Sequence, residues 1–266
     1  MQKKLSLFVA TAVLLGISAC SLLPDKVDET QNWSVTKLYS EAREEMTSGH
    51  YERAIVLFGK LESNYPFGTY AQQAQMEIAY AYYKSNDQVQ ALAAAERFIK
   101  LHPNHANVDY MYYLRGLINF NDQIGFFNFL YAQDTTERDP KATREAFGAF
   151  KQLVEKFPDS QYRPDALERM KYLVNAMAQY EVHVARYYYR RGAYLAAVNR
   201  AQGAISDYRE APAMEEALFI MERSYDKLGL LDLRDDTQRV LLKNYPNSQF
   251  VVADGAVVKQ HWWKVW

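Results

Sequence analysis

Few residues in this chain of 266 could do chemistry, and the first is its single cysteine, Cys20. A lone thiol can join no intramolecular disulfide and no thiolate metal cluster, which leaves it covalent modification. The one close histidine pair, His102-Pro103-Asn104-His105, straddles a proline that breaks a helix, so the two rings share no helical face and have no metal-ligand spacing. The sequence has no Gly-rich phosphate loop, no Gly-x-Ser-x-Gly elbow and no His-Glu-x-x-His. Carboxylates are spread among Lys and Arg along helical stretches, as on solvated faces. Lys plus Arg number 31 against 32 Asp plus Glu, a net charge of −1. That balance lacks the basic excess of a nucleic-acid binder, even though Tyr187-Tyr188-Tyr189-Arg190-Arg191 sets cations beside rings. These features predict no catalytic residues, no cofactor, no metal and no nucleic-acid partner. They leave binding as the function to look for.

The neighbours of Cys20 indicate its modification. Lys3 and Lys4 precede 13 apolar or small residues, Leu5 to Ile17. That run is too short to span a bilayer, which needs about 20 apolar residues, and it reads as a secretory signal. Ile17-Ser18-Ala19-Cys20 resembles a bacterial lipobox, with Ile where Leu is commoner. The motif implies a signal peptide at 1–19, cleavage before Cys20, and acylation of the thiol and the new amino group. Several acyl chains anchor firmly where one holds weakly. Ser21 is not the Asp that typically retains lipoproteins in the inner membrane. The expected place is therefore the outer membrane, lipid-anchored and facing the periplasm, with 20–33 as a tether. A chance cysteine after an ordinary signal is the alternative.

The elements that must position any binding residue are helices arranged as a repeat. Strand and hairpin signals are poor. Gly49-His50-Tyr51-Glu52-Arg53-Ala54 leads to Phe58, Leu61 and Tyr65-Pro66, and the frame recurs 37 residues later at Ala91, Phe98 and His102-Pro103. A third copy is Ala146, Phe150 and Phe157-Pro158. The fourth is Gly192, Tyr194, Ala197 and Tyr208-Arg209, and the fifth Tyr225, Gly229, Arg234 and Tyr245-Pro246. In the first three copies Ala and Pro stand 12 apart. This spacing resembles the tetratricopeptide repeat. The Ala sits where antiparallel helices touch, the Gly ends the first helix in a left-handed cap, and the Pro stops the second. Ring positions in register fill the wedge between helix pairs, which accounts for much of the 14% aromatic content. The predicted fold is all-α, a solenoid of about five helix pairs over 34–250, with repeats near 34–66, 71–103, 107–158, 164–209 and 213–246. A tail follows at 251–266. Two excesses over the repeat length stand out: an aromatic insertion at 119–139, whose Asp139 and Pro140 read as cap and first turn of the next helix, and a long helix between Pro164 and Gly192.

Beyond the repeat frame, the polar strings resemble one family, the outer-membrane assembly lipoproteins called BamD. The most specific stretches are Tyr65-Pro66-Phe67-Gly68, Arg138-Asp139-Pro140, Phe157-Pro158-Asp159-Ser160-Gln161-Tyr162, Tyr180 through Tyr188, and Arg191 through Arg200. Ile17 and the tail Trp262-Trp263-Lys264-Val265-Trp266 depart from the family's pattern. The resemblance implies a subunit of the machinery that folds β-barrel proteins into the outer membrane. It implies partners as well: a POTRA-bearing barrel subunit bound by the C-terminal repeats, other assembly lipoproteins, and unfolded β-barrel clients received by the N-terminal repeats. An envelope lipoprotein that regulates cell-wall synthases or hydrolases is the alternative function.

Candidate binding residues follow from the helical period. Counting back from Ala54 sets Thr36, Tyr39, Arg43 and Met46 on the concave side, and counting back from Ala91 sets Gln73, Met76, Tyr80 and Tyr83 there. Rings, polar handles and one cation suit an extended peptide ending in an aromatic residue and a carboxylate; ordinary inter-repeat contacts are the other reading. Arg190 and Arg191 stand at a helix end, where cations are favoured. Asn199 and Arg200 lie on the next helix, in the region that the resemblance assigns to the barrel subunit. There a guanidinium could grip a partner carboxylate with two bonds, or simply pair with an acid of its own helix. Phe120, Phe126, Phe127 and Phe129 of the insertion form an interface or fold back on the array. The four Trp, 33, 262, 263 and 266, lie outside the repeats, where a membrane-interface role and a disordered tail both remain open.

Overall fold

The computed structural model describes residues 30–120, 140–248 and 250. Those residues form ten α-helices and no strand. The first three pairs are α1 (Val35–Thr47) with α2 (Tyr51–Asn64), α3 (Thr69–Lys84) with α4 (Gln88–Leu101), and α5 (Val108–Asn119) with α6 (Pro140–Lys156). The last two are α7 (Arg163–Arg190) with α8 (Tyr194–Asp207), and α9 (Met214–Leu228) with α10 (Leu231–Asn244). Each helix packs on the next, and first helices also touch across pairs: α1 on α3, α3 on α5, α7 on α9. That is the all-α solenoid of five pairs. α7, at 28 residues, is the long helix expected between Pro164 and Gly192.

The small residues act where the frame puts them. Ala54, Ala91, Ala146 and Ala197 are fully buried at the seams between helices. Arg234 replaces the small residue in the fifth pair, reaching Asp226 at 3.4 Å and Asp235 at 2.6 Å. The reversal inside the first pair is held by Gly49 at φ 81, with His50 N–H donating back to the Glu45 carbonyl at 2.9 Å. In the second pair Asn86, at φ 64, takes the same left-handed position, which Asn tolerates better than most side chains. A second close approach lies between α5 and α6, where Gly116 faces the Phe150 ring with no room for a Cβ.

The start of the array is built from residues expected in the tether. Thr30 is buried, and its hydroxyl accepts from Lys60 Nζ at 2.9 Å. Trp33 packs on the cluster of Leu38, Ala42, Ala54 and Phe58, with Lys37 Nζ 4.3 Å from its ring centre. Trp33 is thus part of the first pair's packing, a correction to its placement outside the repeats. Met46 is corrected too: at 6% exposure it belongs to the same core and lines no surface. Cys20, Asp139, the insertion beyond Phe120 and the tail from 251 lie outside the described residues. No helix among the described residues is long and apolar enough to cross a membrane.

Candidate peptide-binding surface

The face expected on the inner side of the array is carried by α1, α3 and α5, with residues three and four apart along α1 and α3 and three apart on α5. On α1, Tyr39 lies edge-on to Phe58 at 5.8 Å and to Tyr70 at 5.3 Å, while Thr36 stays exposed. One turn on, the half-exposed Arg43 donates from Nη1 to Glu77 Oε1 of α3 at 2.5 Å. Burial pushes the Glu77 carboxyl above its ordinary value, and the Arg43 charge pulls against that shift. Burial also raises the Tyr39 hydroxyl, helped by Glu77. Gln73 is exposed, while Met76, Tyr80 and Tyr83 lie half-buried against Ala79, Ala91 and Met111. The Tyr80 and Tyr83 ring centres are 6.3 Å apart.

The ladder of rings continues past the residues picked from sequence. Tyr110 on α5 is pushed far above the usual phenol range by burial, then by neighbouring Tyr80, Glu77, Tyr162 and Tyr83. It reaches Tyr162, whose ring is 5.5 Å away, and Tyr162 in turn stacks on Tyr113 at 4.8 Å and 14°. Tyr113 donates its hydroxyl to Asp165 Oδ2 at 2.6 Å, an atom that also accepts from Arg169 Nε at 2.6 Å. Burial and that carboxylate push Tyr113 up to about 12. Burial works to raise Asp165, but the Tyr113 hydroxyl and Arg169 win and hold it below its ordinary value. The guanidinium of Arg169 then covers Phe120 at 4.8 Å. The face is therefore a run of rings with an ion pair at each end, Arg43–Glu77 and Arg169–Asp165.

Glu77, Tyr110, Tyr113 and Asp165 escaped the sequence reading. Counting back from Ala146 runs into the insertion, so the register of the third first helix is lost there. The three-residue step from Tyr110 to Tyr113, matching Tyr80 to Tyr83, was the available signal.

The second candidate cluster is spread over the outer end of α7 and over α8. Arg200 Nη1 donates to Glu181 Oε2 at 3.0 Å, so its acid sits on the preceding helix and not on its own. Asn199 and Arg190 are exposed, and Arg191 lies over the Tyr187 ring at 5.5 Å. Close by, Arg186 grips Glu216 with two bonds, 2.6 and 2.8 Å, tying α7 to α9. Among the described residues no group of three His, Cys, Asp or Glu side chains is gathered for a metal.

A family model described as an outer membrane lipoprotein, YfiO, matches residues 31–241. The chain is 48% identical over all 266 residues to the outer membrane protein assembly factor BamD of Neisseria meningitidis serogroup A, and each chain is covered completely. It is 47% identical, again over the full length of both, to BamD of Neisseria gonorrhoeae. To BamD of Vibrio cholerae it is 38% identical over 240 residues, 90% of this chain and 97% of that one. This chain belongs to the BamD family. The match to the family model covers all of α1 to α9 and most of α10. Both candidate surfaces lie inside it, while the tail, at 251–266, lies beyond it.

Proposed function

We propose that this outer-membrane assembly factor works as a non-catalytic scaffold, lipid-anchored through Cys20 and facing the periplasm. Its α1–α3–α5 face receives an extended peptide from an unfolded β-barrel client. Its α7–α8 corner, with Arg190, Arg191, Asn199 and Arg200, meets the POTRA-bearing barrel subunit, and other assembly lipoproteins dock elsewhere on the array. The observation that carries the reading is the ring-lined inner face with Arg43 set among its tyrosines.

The face offers two kinds of purchase. Half-buried rings give apolar contact with a polar edge, which suits the alternating apolar side chains of a future strand. Arg43 gives a charged end-stop. Glu77 is disfavoured as an anion by its own burial. When a client's terminal carboxylate takes the Arg43 guanidinium, Glu77 loses the charge that pulls it down and is pushed further toward its protonated form, which relieves the buried charge. No covalent step is needed; the array's curvature holds the client near its partner.

The direct test is fluorescence anisotropy with a labelled peptide ending in Phe and a free carboxylate. Arg43→Gln should weaken binding about tenfold, in line with loss of a charge-assisted bond, while amidation of the peptide should weaken the native chain's binding and leave the variant's nearly unchanged. Equal binding by both chains would remove Arg43 from the site. Separately, a Cys20→Ala chain should leave the membrane fraction, and a pull-down should recover a POTRA-bearing barrel and not cell-wall synthases or hydrolases.

A further inference from the structure

The array has two edges, one formed by the turns inside pairs and one by the turns between pairs. Residues 30–33 are tied to the second. Thr30 is buried, and its hydroxyl accepts from Lys60 Nζ, near the end of α2, at 2.9 Å. Trp33 N–H donates back to the Thr30 carbonyl at 3.0 Å, and the Trp33 carbonyl accepts from the Tyr65 hydroxyl at 3.1 Å. These bonds pin the segment beside Tyr65-Pro66-Phe67-Gly68, the turn between the first two pairs. From Cys20 to Thr30 the sequence advances ten residues, which span at most about 36 Å even when fully extended. An acyl anchor on Cys20 therefore holds this edge within that distance of a bilayer.

The pinned edge carries apolar side chains that the array leaves uncovered. Phe67 is 90% exposed, more than any other large apolar residue among those described. Its neighbours in the turn are engaged: Tyr65 bonds to Trp33, and Tyr70 meets Tyr39 at 5.3 Å. The next turn along the edge adds Leu101, 56% exposed. One side chain of α3 joins the two turns. Gln75 Nε2 donates to Glu62 Oε1 of α2 at 3.0 Å, and Gln75 Oε1 lies 2.9 Å from Nε2 of His102, the residue after Leu101.

The charges around Phe67 and Leu101 are mostly positive. Lys37 lies over the Trp33 ring, Lys60 reaches Thr30, and Lys100 stands in the last turn of α4. Glu62 is paired there with Arg97 at 3.1 Å. The stretches Ser63 to Met76 and Leu101 to Val108 contain no acidic residue. Glu44, Glu45, Glu52 and Asp87 instead flank the turns at the opposite edge, beside Arg53 and Lys84. An exposed ring and an aliphatic side chain set among lysines suit the headgroup layer of a bilayer that holds anionic lipid. There the apolar area is buried and the ammonium groups meet phosphates.

We propose that this edge, led by Phe67 and Leu101, lies on the phospholipid surface to which the Cys20 anchor proposed above, on which this rests, ties the chain. An anchor alone fixes a distance and no orientation. A second contact decides which way the α1–α3–α5 face and the α7–α8 corner point.

The test uses the full lipidated chain in phosphatidylethanolamine–phosphatidylglycerol vesicles. With Cys20 acylated, Asn64→Cys supplies one free thiol beside the turn for an environment-sensitive NBD label. Val89→Cys supplies one toward the other end of α4, about 18 Å along the helix from Leu101. Emission from position 64 should shift to the blue in vesicles and be quenched by spin-labelled lipid. Emission from position 89 should do neither, although Val89 is apolar and 75% exposed. Phe67→Ser combined with Leu101→Ser should abolish the shift at 64 and leave helicity unchanged, since neither side chain is buried. No shift at 64 in a chain that sediments with the vesicles would overturn the proposal and leave the anchor standing. Equal shifts at 64 and 89 would overturn it too, as would a shift that requires an added peptide ending in Phe, which gives Phe67 to the client. A chain that does not sediment with vesicles at all would remove the anchor and the proposal together.

Discussion

The two halves of the array solve the same packing problem with different residues. The first three pairs fill their wedges with rings and large aliphatics: Phe58, Phe98 and Phe150 are fully buried, with tyrosines banked against them. Around α7 to α9 the buried positions are mostly alanines: Ala178, Ala185, Ala197, Ala201, Ala204, Ala211 and Ala217. Alanine seams let helices approach closely and leave little for side chains to rearrange. Ring-filled wedges hold the helices further apart and leave tyrosine edges facing the inner surface. On the proposed function, the difference would let one repeat serve two kinds of partner. The alanine half is a close-packed block laced by Arg186–Glu216 and Arg200–Glu181, suited to docking a folded domain. The ring half offers an adaptable surface suited to an extended peptide.

The comparison is broken most severely at Gly116, where the ring half brings a helix backbone against a ring. Gly116 of α5 lets the Phe150 ring lie so close that a Cβ there would fall 2.4 Å from it. Gly116→Ala should force the ring or the helix aside and cost about 1–3 kcal/mol, overriding the gain in helix propensity that Ala normally brings. Urea unfolding would show the loss as a lower midpoint. A more stable variant would mean that Phe150 has room to turn and that α5 and α6 are not locked there.

The seams were legible in the sequence because their signals are local. An Ala 12 residues before a Pro needs no knowledge of the rest of the chain, and Ala54, Ala91 and Ala146 all proved to be buried contacts. What depends on the rotation of one helix against another was not legible. Met46 fits the period of the inner face but turns into the core. Arg43 was read as the one cation on that face, and only the approach of α3 sets Glu77 beside it. The counterpart of Arg200 lies 19 residues back on another helix, where intrahelical counting cannot find it. Trp33 lay before the first recognisable repeat residue, yet it completes the first cluster.

A smaller effect separates the halves by pH. In the ring half Tyr113 is raised to about 12 by burial and by its bond to Asp165. A raised group contributes stability that is fully present below the unfolded value, near 10, and lost as pH rises through the folded one. The native chain should therefore lose stability between pH 10 and 12, and Tyr113→Phe should lose less of it over that window. Asp165 has the opposite sign: held low by Tyr113 and Arg169, it contributes above its unfolded value of 3.8 and stops contributing as pH falls through its lowered one. Tyr113→Phe should weaken that acid-side dependence too. Thermal midpoints from pH 3 to 12 would register both arms. A phenylalanine variant indistinguishable at both ends would mean that the hydroxyl and carboxylate act independently.

The smallest effect on folding is expected in the alanine half, at Arg200. Its pair with Glu181 is half open to water, 48% and 22% exposed, and such pairs contribute about 0–1 kcal/mol. Arg200→Glu should leave helicity and the unfolding midpoint nearly unchanged, and Glu181→Arg likewise. The double reversal restores the internal pair with its direction inverted, which makes the two roles of Arg200 separable. If the residue serves only the array, the double variant should behave as native in every assay. If its free donors grip a carboxylate of the POTRA-bearing subunit, the double variant should be as stable as native but bind that subunit about as weakly as Arg200→Glu. Stability cannot distinguish these cases, because the pair contributes so little; association measured beside it can.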